Sequence, residues 1–227
     1  SPEQVGKEEL NVILNKFCDD SFDALLFLKY VSKITVSDIS SGHLIEQYRV
    51  ETIISDQDKQ RRDAFFQYVK NVSTQYKQDR KSILTLPSSE VGYQMTVLDS
   101  MGRSKLFYIV QRCGFMEGYD TPQTIVHALE RNKIGQLPMG GVAIFIPDRE
   151  ELMKEPEKGK DTSGTTDNKP ATESIANIGR AFCFLPLPLR TGLPCHINGH
   201  FVLDHEARRS LWKEDKGYRH DWNHYLF

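Results

Sequence analysis

The stretch 185–201, LPLPLRTGLPCHINGHF, sets three prolines, two glycines, one cysteine, two histidines and one arginine between apolar positions. Cys195, His196, His200 and, just beyond, His205 are metal-ligand types close together. HINGH even has the H-x-x-x-H spacing that places two imidazoles on one helix face over a zinc ion. Two features oppose that reading. The glutamate of H-E-x-x-H is missing. Asn198-Gly199 is also the strongest two-residue hairpin signal, so a helix across it is not expected. In such a hairpin Cys195, Ile197, His200 and Val202 share one face, and His196, Phe201 and Leu203 share the other. The two histidines then point apart. Along one continuous strand they share a face but stand about 13 Å apart. No metal site is expected.

Other reactive patterns are missing. There is no G-x-S-x-G, and no cysteine lies in a nucleophile context. Residues 135–141, GQLPMGG, are glycine-rich but lack the G-K-[ST] ending of a phosphate loop and read as a turn before a strand. The carboxylate pairs Asp19/Asp20 and Glu150/Glu151 lie in loop-like stretches. One candidate survives, Arg190, read at the tip of the proline-stiffened connection PLPLRTGLP with Gly192 allowing a sharp turn. A rigid loop offering one guanidinium suits a phosphate or carboxylate.

The elements that must position these residues follow from periodicity. Ser1-Pro2 starts a helix, and Leu10, Ile13, Leu14 and Phe17 form its apolar face. Asp19, Asp20 and Ser21 punctuate it before a second short helix over FDALLFLKYV. KITVSDI and HLIEQYRVETII (43–54) read as strands. Ser55 to Asp58 is a capping box. It opens a helix with the stripe Phe65, Tyr68, Val69 and Val72 and a solvated basic face of Lys59, Arg61, Arg62, Gln67 and Lys70. YQMTVLDS (93–100) and SKLFYIVQRCGF (104–115) form a hairpin around residues 99–103. Thr121-Pro122 caps a helix carrying Ile125, Val126 and Leu129. GGVAIFIP (140–147) reads as a strand buried on both faces. EARRSLW suggests a short helical turn, and DWNHYLF (221–227) the start of another helix. The apolar last residues Tyr225, Leu226 and Phe227 suggest a piece of something longer.

Composition bounds the class. The chain has 227 residues, 39% hydrophobic and 26% charged, with net charge −2, as a globular protein would. That balance gives no basic footprint for nucleic acid. No apolar run approaches the roughly 18 residues of a membrane helix, and SPEQVGKEEL lacks the pattern of a signal peptide. Cys18, Cys113, Cys183 and Cys195 form no C-x-x-C and sit among apolar neighbours, as reduced intracellular cysteines do. Residues 148–178 are polar, have no aromatic residue, and read as a mobile insertion within a single domain spanning 1–227. The expected fold is α/β (α+β), a mixed β-sheet flanked by helices.

The segment 179–212, GRAFCFLPLPLRTGLPCHINGHFVLDHEARRSLW, resembles the repeat modules of the sacsin family, very large neuronal proteins with Hsp90-like ATPase regions. ALLFLKYVSKITV (24–36) is similar to their LLFLKNV-x-x-I pattern, and SKLFYIVQRCGF and GGVAIFIP fit their order. The resemblance implies a segment that follows an Hsp90-type nucleotide-binding domain and is loosely similar to an Hsp90-type middle domain. There is no D-x-G-x-G loop here, so ATP and Mg are expected on the preceding domain and no cofactor on this one. The LPLPLRTG loop does not reproduce the LPL-x-x-SRE pattern, but by position Arg190 matches the basic side chain that reaches the γ-phosphate. The implied role is that of a non-catalytic part of a cytoplasmic chaperone or co-chaperone. Its implied partners are the neighbouring Hsp90-like domain, client proteins and other chaperones, with no nucleic acid and no membrane span. The alternatives are an ATP-hydrolysing domain in its own right and a structural spacer.

Overall fold

A computed structural model describes residues 7–40, 42–147, 179–204, 210–212 and 216–226. The helix start at Ser1-Pro2, the insertion at 148–178, His205, residues 206–209 of EARRSLW, Phe227 and the Leu10 side chain lie outside the described residues. The architecture is mixed α+β. Strands β1 (Lys33–Ser40), β2 (His43–Ile53), β3 (Ser89–Asp99), β4 (Ser104–Cys113), β5 (Met139–Ile146), β6 (Arg180–Cys183), β7 (Leu185–Arg190) and β8 (Cys195–Gly199) form one sheet. Its order is β1-β2-β3-β4-β5-β8-β6-β7. Pairing is antiparallel throughout, except that β6 and β8 run parallel. The described helices are α1 (Lys7–Ala24), α2 (Asp56–Gln78), α3 (Gln123–Glu130) and α4 (Tyr218–Leu226), with a 3-10 turn over Arg80–Leu84.

Alternation along β3 and β4 decides where the core lies. Val91, Tyr93, Met95 and Val97 are buried, as are Phe107, Ile109 and Cys113. The intervening residues are more exposed, as a sheet with one covered face requires. Helix and turn residues Phe22, Leu25, Leu26, Phe65, Phe66, Ile125, Leu129 and Trp222 join the same core. β5 is not buried on both faces as its apolar sequence suggests, because Ile144 lies on the open face beside Tyr108 and is 47% exposed.

Local signals give several elements as read. Ser55 caps α2, its Oγ accepting from the Asp58 amide at 3.1 Å. The β3–β4 hairpin turns over residues 99–103, with Gly102 at φ +83. At the start of α3 the cap is Pro122 rather than Thr121, and it makes no side-chain cap bond.

The α1 region departs from expectation. The helix runs on through Asp19-Asp20-Ser21, because Ser21 turns its hydroxyl back onto the Cys18 carbonyl (3.1 Å) and remains helical. FDALLFLKYV is therefore not a second helix. After Ala24 the chain turns, placing Leu25, Leu26 and Phe27 in the core. Ile13 and Phe17 of the expected apolar face are exposed, while Leu14 packs on the core. The basic face of α2 is also not all solvated. Arg62 donates to the carbonyl oxygens of Leu28 (2.6 Å) and Lys29 (3.3 Å), closing the turn that follows α1. Its guanidinium lies over the rings of Phe66 and Tyr93. At the far end residues 210–212 run back beside 202–204, with Leu203 and Leu211 bridged.

Candidate functional site

LPLPLR is the edge strand β7, not a loop, and Arg190 is its last residue rather than a loop tip. Proline has no amide to give a ladder, so Pro186 and Pro188 suit a strand paired on one side only. The turn comes afterwards, at Thr191-Gly192, with Gly192 at φ +70. Thr191 Oγ1 accepts from the Leu193 amide (3.2 Å) and donates to the Cys195 carbonyl (3.2 Å).

The chain then crosses the head of β6 to enter the sheet as β8. This crossing needs Gly179 beneath it. Gly179 exchanges backbone bonds with Leu193 (3.1 Å) and Thr191 (3.0 Å). A Cβ there would stand 2.1 Å from the Cys195 carbonyl oxygen and 2.4 Å from that of Leu193.

Asn198-Gly199 is not a hairpin turn. Both residues lie in β8, which is paired with β5 on one side and reaches β6 on the other. The physical reason is that both are consumed by packing. Asn198 Oδ1 accepts from the Phe184 amide (3.0 Å), which holds the left-handed residue (φ +64) between β6 and β7. Gly199 leaves room for the Phe201 ring, which would lie 2.6 Å from a Cβ.

The histidines are placed among aromatic rings. His196 is 3% exposed, lies edge-on to Phe182 and accepts from the Arg180 amide at Nδ1 (3.3 Å). Burial lowers its pKa; nearby Asp23 opposes the shift, and Lys105, Arg180 and Arg190 reinforce it. His200 packs at a tilt against Phe184, with ring centres 4.7 Å apart. Its backbone carbonyl accepts from the Trp222 indole (2.9 Å), which docks α4. Burial pushes its pKa down to about 4. Among the described residues no group of three His, Cys, Asp or Glu side chains is placed to hold a metal ion. For a histidine the sign is that a lowered folded pKa stabilises above the unfolded value and is lost as pH falls from about 6.5 to about 4. Imidazole nitrogen NMR is expected to find His200 neutral at pH 5.5. An imidazolium signal for it at that pH would contradict this burial.

Arg190 therefore sits in a small charged cluster. It pairs in register with Arg180 on β6. Arg180 Nη1 donates to Asp20 Oδ1 of α1 at 2.9 Å, and Asp23 and Lys105 lie near His196. Arginine on an edge strand beside a second arginine can offer bidentate donors to an anion. The sequence reading missed Arg180, Asp23 and Lys105, and left Asp20 as one of a loop-like carboxylate pair. No local pattern links Asp20 to a residue 160 positions away; only the packing of α1 on the sheet does. The four cysteines are free. Burial raises each thiol's pKa, that of Cys113 to about 12, which disfavours thiolates.

Comparison with known proteins bears on the same segment. The chain is 34% identical to human sacsin over 218 residues, 94% of its own length. The chain is sacsin-related. It spans 4% of that protein's length. No protein-family model and no solved structure matches it. The relationship to sacsin takes in the ALLFLKYV turn that buries Leu25 to Phe27, the β4 and β5 strands and the β6–β8 crossing, since it covers nearly the whole chain. Among the described residues no helix is long and apolar enough to cross a membrane.

Proposed function

We propose that the chain is a non-catalytic segment of a giant Hsp90-like chaperone or co-chaperone of the cytoplasm. It follows a nucleotide-binding domain, resembles an Hsp90-type middle domain in role, and docks that domain, client proteins or other chaperones. The observation that carries this reading is the sacsin relationship along 94% of the chain. Two features of the fold support a docking role. The β1–β2 hairpin extends past β3, since β2 pairs with β3 only over Val50–Ile53. Its outer part is exposed, with Ile39 at 73% and Leu44 at 74%. A two-stranded arm is marginal in water unless something covers it. The exposed Val12, Ile13 and Phe17 of α1 add apolar surface.

Arg190 is the residue through which the segment senses nucleotide bound to the preceding domain. ATP and Mg belong to that domain, and this segment holds no cofactor of its own. The test is ATP turnover in a longer chain that includes the preceding domain, comparing wild type with Arg190→Ala, with circular dichroism to verify folding. A charge directed at the γ-phosphate in the transition state is worth a few kcal/mol, so turnover is expected to fall about 100-fold. Unchanged turnover would remove Arg190 from this role and leave docking alone. Mg-ATP binding by the 227-residue chain would revive the reading of an ATPase in its own right.

A further inference from the structure

β3 is half-paired on one side. β2 covers only Thr96–Asp99, so the β2 side of Ser89–Met95 carries no strand. Which backbone groups face that gap follows from alternation, because in an antiparallel strand the N–H and C=O of one residue point the same way. The Asp99 amide bonds across to Arg103, toward β4. Odd-numbered residues of β3 therefore face β4, and even-numbered ones face the gap. The Gln94 amide obeys this rule and faces the Asp58 carboxylate of α2, which it helps to hold in its charged form. Glu90 and Gly92 come next along the same edge.

A groove opens at those two residues. It is an open groove of about 480 Å³ between α2 and β3, lined by Arg61, Ala64, Phe65, Ser89, Glu90, Val91 and Gly92. This volume falls within the range of roughly 300–1,000 Å³ typical of ligand clefts. Ala64 and Ser89 are small at this edge, and the Tyr108 hydroxyl lies over Gly92 on the sheet face. Phe65 and Val91 are buried and form an apolar floor. The charges at the rim are Arg61, which is paired with Asp58, and Glu90, whose carboxylate lies 3.4 Å from Arg112.

We infer that this groove takes a single extended peptide, which adds as a short strand to the Glu90–Gly92 edge of β3. An extended backbone supplies alternating donors and acceptors at the spacing this edge presents, which is the chemistry of strand addition. Arg61, Ala64 and Phe65 of α2 flank the edge. A side chain pointing down from the peptide would meet Phe65 and Val91. The groove is built from α2 and β3, with no part of β7 or Arg190, and the inference stands if nucleotide coupling fails.

The experiment pans a phage-displayed library of random dodecapeptides on the 227-residue chain, with Ala64→Arg as the counter-target. Ala64 is exposed on α2, so the arginine fills the groove without entering the core; matching thermal melts check this. Enriched peptides are expected to bind wild type at least about tenfold more tightly than Ala64→Arg. They are also expected to slow amide hydrogen exchange at Glu90 and Gly92, and N-methylating alternate peptide amides should abolish binding. Peptides that bind both proteins equally, binding without protection at Glu90 and Gly92, or no enrichment over the counter-target would each overturn the inference.

Discussion

Gly179→Ala is expected to cost about 3 kcal/mol or more. With a urea m-value of about 2–3 kcal/mol/M, the unfolding midpoint should fall by roughly 1–1.5 M with m unchanged. The added methyl meets two backbone carbonyls and one side-chain hydroxyl that is itself hydrogen-bonded to the turn. The Cys195 and Leu193 carbonyl oxygens lie 2.1 and 2.4 Å from it, and Thr191 Oγ1 lies 2.2 Å away. None of these can move without breaking the bonds that carry the chain from β7 over β6 into β8. Gly192→Ala is the control. Gly192 has φ +70 and open space around it, so only the backbone preference is lost, about 1 kcal/mol. Equal costs for the two variants would mean that the crossing is not tight. Because β8 lies inside the sheet, Gly179→Ala should also weaken the β5–β8 pairing, seen as faster amide exchange in both strands.

Asp99→Ala is expected to be nearly as damaging, and its effect should depend on pH. The Asp99 side chain is fully buried at the β3–β4 turn. Its Oδ1 accepts from the amides of Met101 (3.0 Å) and Arg103 (2.9 Å), and Oδ2 accepts from Arg103 Nε (2.6 Å). Arg103 in turn reaches Asp19 (2.9 Å) and the Cys18 carbonyl (3.3 Å), so one ion pair ties the hairpin to α1. Tyr48 donates to the same Cys18 carbonyl (3.1 Å). Removing the carboxylate leaves two turn amides without their acceptor and takes from Arg103 its buried partner, at about 3 kcal/mol.

Burial alone would raise the Asp99 pKa, but the Arg103 side chain, the turn amides and the Arg103 charge together bring it below the ordinary carboxylate value. A depressed folded pKa stabilises above the unfolded value of about 3.9, and that contribution is lost as pH falls through the lower folded value. Wild type should therefore lose stability steeply below about pH 4. Asp99→Asn should flatten that part of the curve while lowering the plateau at pH 7. An acid limb unchanged in Asp99→Asn would place the titrating group elsewhere.

Several elements were legible because their signals are local. A serine hydroxyl reaches an amide three residues on, so Ser55 marks the start of α2 in any context. The strand over 93–100 is marked by its own β-branched and aromatic residues, though only the structure shows which face of it is covered. The 99–103 turn carries its own aspartate and glycine. The resemblance to sacsin was likewise carried by short motifs, and the similarity extends over 94% of the chain.

The candidate site was less legible because its residues act through distant partners. Arg62 reads as part of a solvated face, yet it closes the turn after α1, more than thirty residues earlier. Asn198-Gly199 has the composition of a hairpin, but an isolated preference of that kind is worth less than pairing both edges of a buried strand. Arg190 sits at a strand end because prolines that cannot pair inward can still form the outer edge of a sheet.

By itself the sequence determined the strand and helix periods, the α2 cap, the β3–β4 hairpin, the mixed α+β class and the kinship with sacsin. All of these rest on spacings of a few residues or on motifs that keep their meaning when read alone. Only the tertiary structure decided that β8 lies between β5 and β6, that the crossing above Gly179 admits no side chain, and that His196 lies beside Arg180 and Arg190. Those outcomes depend on which surfaces, far apart in the chain, exclude water together. That choice is made by the packing of the whole sheet.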